Sequence, residues 1–388
     1  MTGNESARGS GPGERGGPYR IMVVDDSAVV RGLVTRFLEQ DKDIKVVASV
    51  GNGQRALDTL ARTRIDVVVL DIEMPVMDGL TALPKLLQVQ PGVQVIMSST
   101  LTKQNAEVSL RALQSGAADY VTKPSTGGLH NAEAFQRELS AKVKAVGSAR
   151  RKASGESLPD GRPARETAPV RGSGAITAIK AAKGPTPVLR RSVATLPPQA
   201  IAIGSSTGGP QALFKVLSAL GTVSQPIFIT QHMPATFTAL LADHISRQAK
   251  QSCAEATDGM AVNGGSVYVA RGGQHLVARR EQGAVKLHLS DGEPENFCRP
   301  SVNPMLRSLV EIYGGRILTV ILTGMGSDGL LGCEAVVQAG GQVIAQDEET
   351  SVVWGMPGAV AKAGLCSAIL PLDQIAEHVR RIAGRPAA

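Results

Sequence analysis

The fifty residues from Gly147 to Leu196 place the strongest constraint on what this chain can fold into. They are rich in Pro, Gly, Ala and Ser and show no hydrophobic period. Such a stretch has no apolar face to bury and reads as a flexible linker. The 388 residues therefore divide into a flexible tail at 1–18, one domain at 19–146, the linker at 147–196 and a second domain at 197–388. The linker also accounts for the charge. It holds ten Arg or Lys against three acids, which is the whole of the chain's net +7. The folded parts are near neutral, and no basic helix-turn-helix follows the linker, so no nucleic-acid partner is expected. No apolar run reaches the roughly 18 residues of a membrane span, so no direct membrane insertion is expected. The first twenty residues lack the apolar core of a secretory leader. The four cysteines are 45, 35 and 33 residues apart, without metal-ligand spacing. Neither a zinc site nor a disulfide framework is expected, and a cytoplasmic location follows.

In the first domain, strand-like runs alternate with helical patterns. Arg20–Asp25, Lys45–Val50, Asp66–Leu70, Gln94–Ser98 and Ala118–Thr122 read as strands. Ser27 is placed to cap a helix whose stripe is Val29, Val30, Leu33, Val34, Phe37 and Leu38. Pro84 falls inside the expected third helix, where it could kink or delay it. Five β/α units predict a (βα)5 domain with a parallel sheet covered on both faces. The polar residues cluster at strand ends: Asp25 and Asp26, Asp71, Ser99, and Lys123. In an open α/β sheet these ends form the binding crevice. Three carboxylates brought together repel unless a cation offsets them, and a hard divalent ion, Mg²⁺, suits oxygen ligands. Such an ion lets a phosphoryl group approach Asp71, and Lys123 can pair with it.

In the second domain, Gln199–Gly204 is strand-like and runs into Ser205-Ser206-Thr207-Gly208-Gly209, followed by a helical stripe. A phosphate cradle would need GxGxxG spacing or a Lys-Ser/Thr pair, and neither is present. Residues 204–208 instead read G-x-S-x-G, which lifts a serine hydroxyl above the sheet. Ile227–Thr230 precedes His232, and Arg316–Leu322 precedes Asp328, so all three side chains can reach one edge. Serine needs a base, and the base needs a carboxylate to hold its tautomer. Of six histidines, only His232 directly follows a strand; His275 suits a structural role. The chain order Ser, His, Asp sets this domain apart from the α/β-hydrolase family. A doubly wound α/β serine-hydrolase domain is expected.

The motifs DDS at 25–27, DIEMPVMDG at 71–79, SST at 98–100 and TKP at 122–124 resemble the receiver domain of response regulators. The resemblance implies that Asp71 is phosphorylated, that Asp25, Asp26 and Asp71 hold Mg²⁺, and that Ser99, Tyr120 and Lys123 respond to the phosphate. IGSSTGGPQAL at 203–213, QHMPATFT at 231–238, RPSVNPM at 299–305, LTGMGSDG at 322–329 and QDEETSVVWGMPGAV at 346–360 resemble the catalytic domain of the CheB protein-glutamate methylesterases. The resemblance implies a triad of Ser206, His232 and Asp328, with oxyanion support from backbone near Met325 and from Thr207. It implies phosphorylation-regulated hydrolysis of glutamate γ-methyl esters on methyl-accepting chemotaxis receptors, with methanol released and with glutamine deamidation as a related activity. A sensor histidine kinase would supply the phosphoryl group. No cofactor is expected for ester hydrolysis. Gly264 and Arg271 stand where the family usually has proline before paired turn glycines.

Overall fold

The computed structural model describes residues 16–100, 102–123, 129–159, 189 and 197–384. Most of the expected tail and most of the expected linker lie outside the described residues. Two parallel sheets organise the rest.

The first is built from β1 (Tyr19–Val24), α1 (Ala28–Leu38), β2 (Ile44–Val50), α2 (Gly53–Leu60), β3 (Val67–Asp71), α3 (Gly79–Val89), β4 (Gln94–Ser99), α4 (Lys103–Gln114), β5 (Asp119–Thr122) and α5 (Leu129–Ser154). Its strand order is β2-β1-β3-β4-β5, with β3 buried along its whole length as helices on both faces require. Ser27 caps α1 by accepting from the Val30 amide at 3.3 Å. The stripe of that helix is narrower than the sequence suggests: Val34 and Leu38 are buried, whereas Val29 is 81% exposed. Asp78 caps α3, which runs through Pro84 without delay. The ring faces solvent there, and the helix forgoes one backbone hydrogen bond.

The end of this domain differs from the expectation. Helix α5 does not stop at 146 but continues to Ser154. Arg150 and Arg151, assigned to the linker on composition, are buried against Asp66 at 2.5 and 2.7 Å. Arg151 also donates to the carbonyls of Gly17 and Pro18 and lies 4.6 Å from the Tyr19 ring centroid. Asp66, itself buried, offers the countercharge that makes burying two guanidinium groups feasible. Two of the linker's positive charges are thus structural ones.

The second sheet is built from β6 (Ala200–Ser205), α6 (Gly209–Leu220), β7 (Ile227–Gln231), α7 (Ala235–Ala249), β8 (Ser252–Glu255), β9 (Ser266–Val269), β10 (His275–Glu281), β11 (Ala284–Ser290), α8 (Val302–Tyr313), β12 (Ile317–Ile321), α9 (Leu330–Gln338), β13 (Gln342–Gln346), α10 (Met356–Lys362), β14 (Ala368–Leu370) and α11 (Leu372–Ile382). Seven strands pair in the order β14-β13-β12-β6-β7-β9-β8, all parallel. The chain leaves β6 toward β7 on one side and later returns to pair β12 on the other. The β6/β12 boundary is therefore the point where strand order reverses, and a crevice opens beyond the carboxyl ends there. Outside this sheet, β10 and β11 form a hairpin whose two turn residues, Gln282 and Gly283, both have positive φ. Its inner side chains Leu276, Ala278 and Leu287 join a core with Val302, Met305, Leu306 and Leu309 of α8.

Candidate active site

Two clusters of polar side chains sit at strand ends, one in each sheet. In the first, Asp25, Asp26 and Asp71 bring carboxylate oxygens within 4.8 Å of one another. Lys123 donates to Asp25 and Asp71, each at 2.7 Å. Burial raises the Asp71 pKa to about 6; Lys123 pulls it down and Asp25 pushes it up. Burial acts to lower the Lys123 pKa, but its bonds to the two carboxylates outweigh that and raise it. This crowding of oxygen ligands fits a hard cation. On the neighbouring strands, Ser99 accepts from the Ser109 hydroxyl at 3.2 Å, and the Tyr120 carbonyl accepts from Lys142 at 2.6 Å. Both Ser99 and Tyr120 are buried.

The second cluster forms where β6, β7 and β12 end. The turn after β6 is held on both sides. The Ser206 amide donates to the Thr323 carbonyl at 3.0 Å. Gln231, last residue of β7, accepts from the Ser205 hydroxyl at 2.7 Å and donates to the Ser206 carbonyl at 2.9 Å. Gly208 then adopts φ +74 to start α6, and a Cβ there would lie 2.6 Å from Val352. Gly324 is constrained differently: its Cβ would meet Ser206 Cβ at 2.9 Å and Met356 Sδ at 2.4 Å. The glycine lets the loop after β12 pass directly against the serine. In that loop the Met325 amide donates to no protein group among the described residues, leaving it open to a ligand oxygen. Thr207 is buried, and its carbonyl accepts from the Thr323 hydroxyl at 2.9 Å.

His232 Nε2 lies 2.8 Å from Asp328 Oδ2. Asp328 is saturated: Oδ2 also accepts from the Val302 amide at 2.7 Å, and Oδ1 accepts from Ser301 Oγ at 2.6 Å and Asn296 Nδ2 at 3.1 Å. Burial acts to raise the Asp328 pKa, yet His232, Ser301 and the Val302 amide together hold it below the ordinary carboxylate value. For His232, burial acts to lower the pKa; hydrogen bonds to Asp328 and Cys298 prevail and raise it to about 9. The second ring nitrogen, Nδ1, faces Cys298 Sγ at 3.4 Å. No hydrogen bond joins the half-buried Ser206 hydroxyl to His232 among the described residues. Such bonds are commonly loose before substrate binds.

The three side chains expected to share an edge thus come from the ends of three adjoining strands. Reasoning from sequence missed their supports. Gln231 and Ser301 lay inside motifs already singled out, and the alternation of a strand and the capping pattern of a helix could have flagged them. Asn296 and Cys298 sit in a loop without period and gave no signal. His275 plays the structural role expected of it: Nδ1 accepts from the Ser301 amide at 3.1 Å, and Nε2 lies 3.0 Å from the Glu293 carbonyl.

Comparison with known proteins adds to this geometry. Residues 21–132 match the family model of the response regulator receiver domain, and residues 201–379 match that of CheB methylesterase. The chain is 58% identical over 394 residues to the protein-glutamate methylesterase/protein-glutamine glutaminase of group 2 operon of Rhodospirillum centenum, covering 98% of each chain. It is 58% identical over 369 residues to protein-glutamate methylesterase/protein-glutamine glutaminase 1 of Paramagnetospirillum magneticum, covering 94% of this chain and 96% of that one. Among solved structures, the CheB methylesterase catalytic domain of Thermotoga maritima is 39% identical with a TM-score of 0.47, covering 48% of this chain and 100% of that one.

Proposed function

The chain belongs to the CheB family of protein-glutamate methylesterases/protein-glutamine glutaminases, and from that premise we infer that it hydrolyses glutamate γ-methyl esters on chemotaxis receptors with Ser206 as nucleophile, under control of phosphorylation at Asp71. The observation that carries the site assignment is the His232–Asp328 pair at 2.8 Å beside the strand end that bears Ser206. Asp328 fixes the imidazole with its proton on Nε2, which leaves Nδ1 to take the proton of the Ser206 hydroxyl. The freed alkoxide attacks the ester carbonyl, and the Met325 amide, which has no protein acceptor among the described residues, would donate to the oxygen that becomes negative. Protonated His232 returns its proton to the departing methoxide, and methanol leaves. Water activated by His232 then hydrolyses the acyl-enzyme to glutamate. The same sequence on a side-chain amide gives glutamine deamidation, a slower reaction because the amide carbonyl is less electrophilic and its nitrogen must be protonated before it can leave as ammonia.

In the receiver domain, Asp25, Asp26 and Asp71 would hold Mg²⁺, which when bound offsets the charge of an incoming phosphoryl group. Lys123, shared between two carboxylates, is positioned to pair with the phosphate once Asp71 is modified. Ser99 and Tyr120, on the next two strands, would respond to that change. A sensor histidine kinase is the donor that the domain pairing implies. The limits of both domains are proposed as 19–154 and 197–388, the first extended from 146 by the course of α5.

The test is methanol release from methylated receptor membranes, for the native chain and Ser206→Ala, each with and without a small phosphodonor and Mg²⁺. Ser206→Ala is expected to lose at least about 10³-fold in rate. Phosphodonor should raise native release and leave Asp71→Asn unmoved. Release that persists in Ser206→Ala would remove the serine mechanism; release indifferent to phosphodonor would remove the switch.

A further inference from the structure

The loop from β11 to α8 contains one tight turn, Glu295-Asn296-Phe297-Cys298. The Cys298 amide donates to the Glu295 carbonyl at 2.9 Å, and both central residues have positive φ, +53 at Asn296 and +61 at Phe297. Asn tolerates that region; a bulky residue in the second position is held there against its preference, where glycine would be relaxed. Nothing in folding explains the choice, because Phe297 is 99% exposed. The turn is nonetheless firmly tied. Glu295 pairs with Arg307 of α8, Asn296 donates to Asp328, and Cys298 faces His232 Nδ1. One strained turn thus touches two members of the serine site and carries a fully exposed aromatic ring between those contacts. A strained residue with no packing role points to function, and exposed aromatic anchors are where partner proteins gain most of their binding energy.

We propose that this turn reads the docked receptor: Phe297 packs on the receptor surface beside the glutamyl ester, and Cys298 is a positioning residue that holds His232 Nδ1 until that contact forms. The proposal rests on the esterase reading above. The substrate is a side chain on a folded protein, so the receptor segment that bears it must lie across the surface that flanks Ser206. Protonated Nδ1 donates to Cys298 Sγ, and this bond keeps on the ring the proton that must leave before Nδ1 can accept from the Ser206 hydroxyl. Displacing the turn by a small amount frees that nitrogen only when a receptor is docked, which spares other esters.

The experiment compares the full native chain, Phe297→Gly and Cys298→Ala on two substrates, methylated receptor membranes and p-nitrophenyl acetate. Phe297→Gly relieves the backbone, so it should melt no lower than the native chain. It should lose at least about tenfold in kcat/KM on receptor, mainly through KM, and stay within about twofold on the small ester. Cys298→Ala should raise kcat on the small ester several-fold and move the ascending limb of its pH profile to lower pH. Equal losses by Phe297→Gly on both substrates, or none on receptor, would overturn the proposal. So would an unshifted pH profile in Cys298→Ala. A native chain that releases no methanol from receptor would overturn the esterase reading itself, an outcome distinct from native release with Phe297→Gly unimpaired.

Discussion

Asp71 and Asp328 are both buried, one ending a strand of a parallel sheet and the other in the loop after one, yet their environments drive them in opposite directions. Asp71 has the Ile72 amide and a lysine shared with Asp25, and burial with that neighbouring carboxylate raises its pKa to about 6. Asp328 receives His232, Ser301, Asn296 and the Val302 amide, and its pKa falls. The difference lies in how completely each carboxylate is satisfied. The carboxylate proposed to orient a base is saturated with donors. The carboxylate proposed as the phosphorylation site keeps lone pairs and an unsettled charge. Their effects on stability against pH are opposite in sign. The stabilisation from Asp328 is present above the ordinary carboxylate pKa of 3.8 and fades on acidification through its lower folded value. That from Asp71 is present below 3.8 and is lost as pH rises through about 6.

The largest effect that tests this contrast is on catalysis. Asp328→Asn keeps size and fold but cannot hold the imidazole in its working tautomer, so kcat should fall by about 10³–10⁴-fold. A fall below tenfold would mean that the saturated carboxylate is only structural. Next comes pH. His232 must be neutral to accept a proton, and with its pKa raised to about 9 most of it is protonated at neutrality. Log kcat/KM on p-nitrophenyl acetate should therefore climb with unit slope and level off near pH 9, about a hundredfold above its value at pH 7. A plateau already reached at pH 7 would show that Asp328 and Cys298 do not hold the proton on the ring. The smallest effect is on the receiver. Asp71→Asn removes a charge that burial disfavours while Lys123 keeps Asp25, so the receiver's unfolding free energy at pH 7 should rise by about 1–2 kcal/mol, read in calorimetry as a higher midpoint. A lower midpoint would show that the Lys123–Asp71 pair outweighs the burial of the charge.

Much of this was legible in the chain. The five strands of the first sheet and β6, β7, β12 and β13 of the second, the last as the apolar run Gln342–Gln346, follow from apolar runs bounded by turn residues, and Ser206, His232, Asp328, Asp25, Asp71 and Lys123 were placed at strand ends by the same reading. Strands β8, β9 and β14 were not found. They are three or four residues long, and β8 is half exposed, so their hydrophobic pattern is too brief to register. The α5 terminus was missed for another reason. Composition counts Arg150 and Arg151 as solvated charge, whereas their partner Asp66 lies more than eighty positions earlier.

What the sequence determined by itself is whatever a local rule can settle: the alternation of strand and helix, the glycine turn that lifts Ser206, and the residue type at each strand end. Hydrophobic period and turn chemistry act over a few residues and need no knowledge of the fold. Tertiary structure alone decided what surrounds those residues. Asn296 and Ser301 reach Asp328 across 32 and 27 positions, and Cys298 meets His232 across 66. Those contacts arise because strand order reverses between β6 and β12, which brings the loop before α8 over the site. A hydrogen bond between such distant residues leaves no periodic trace in the chain, and only the packed sheet and helices set its length.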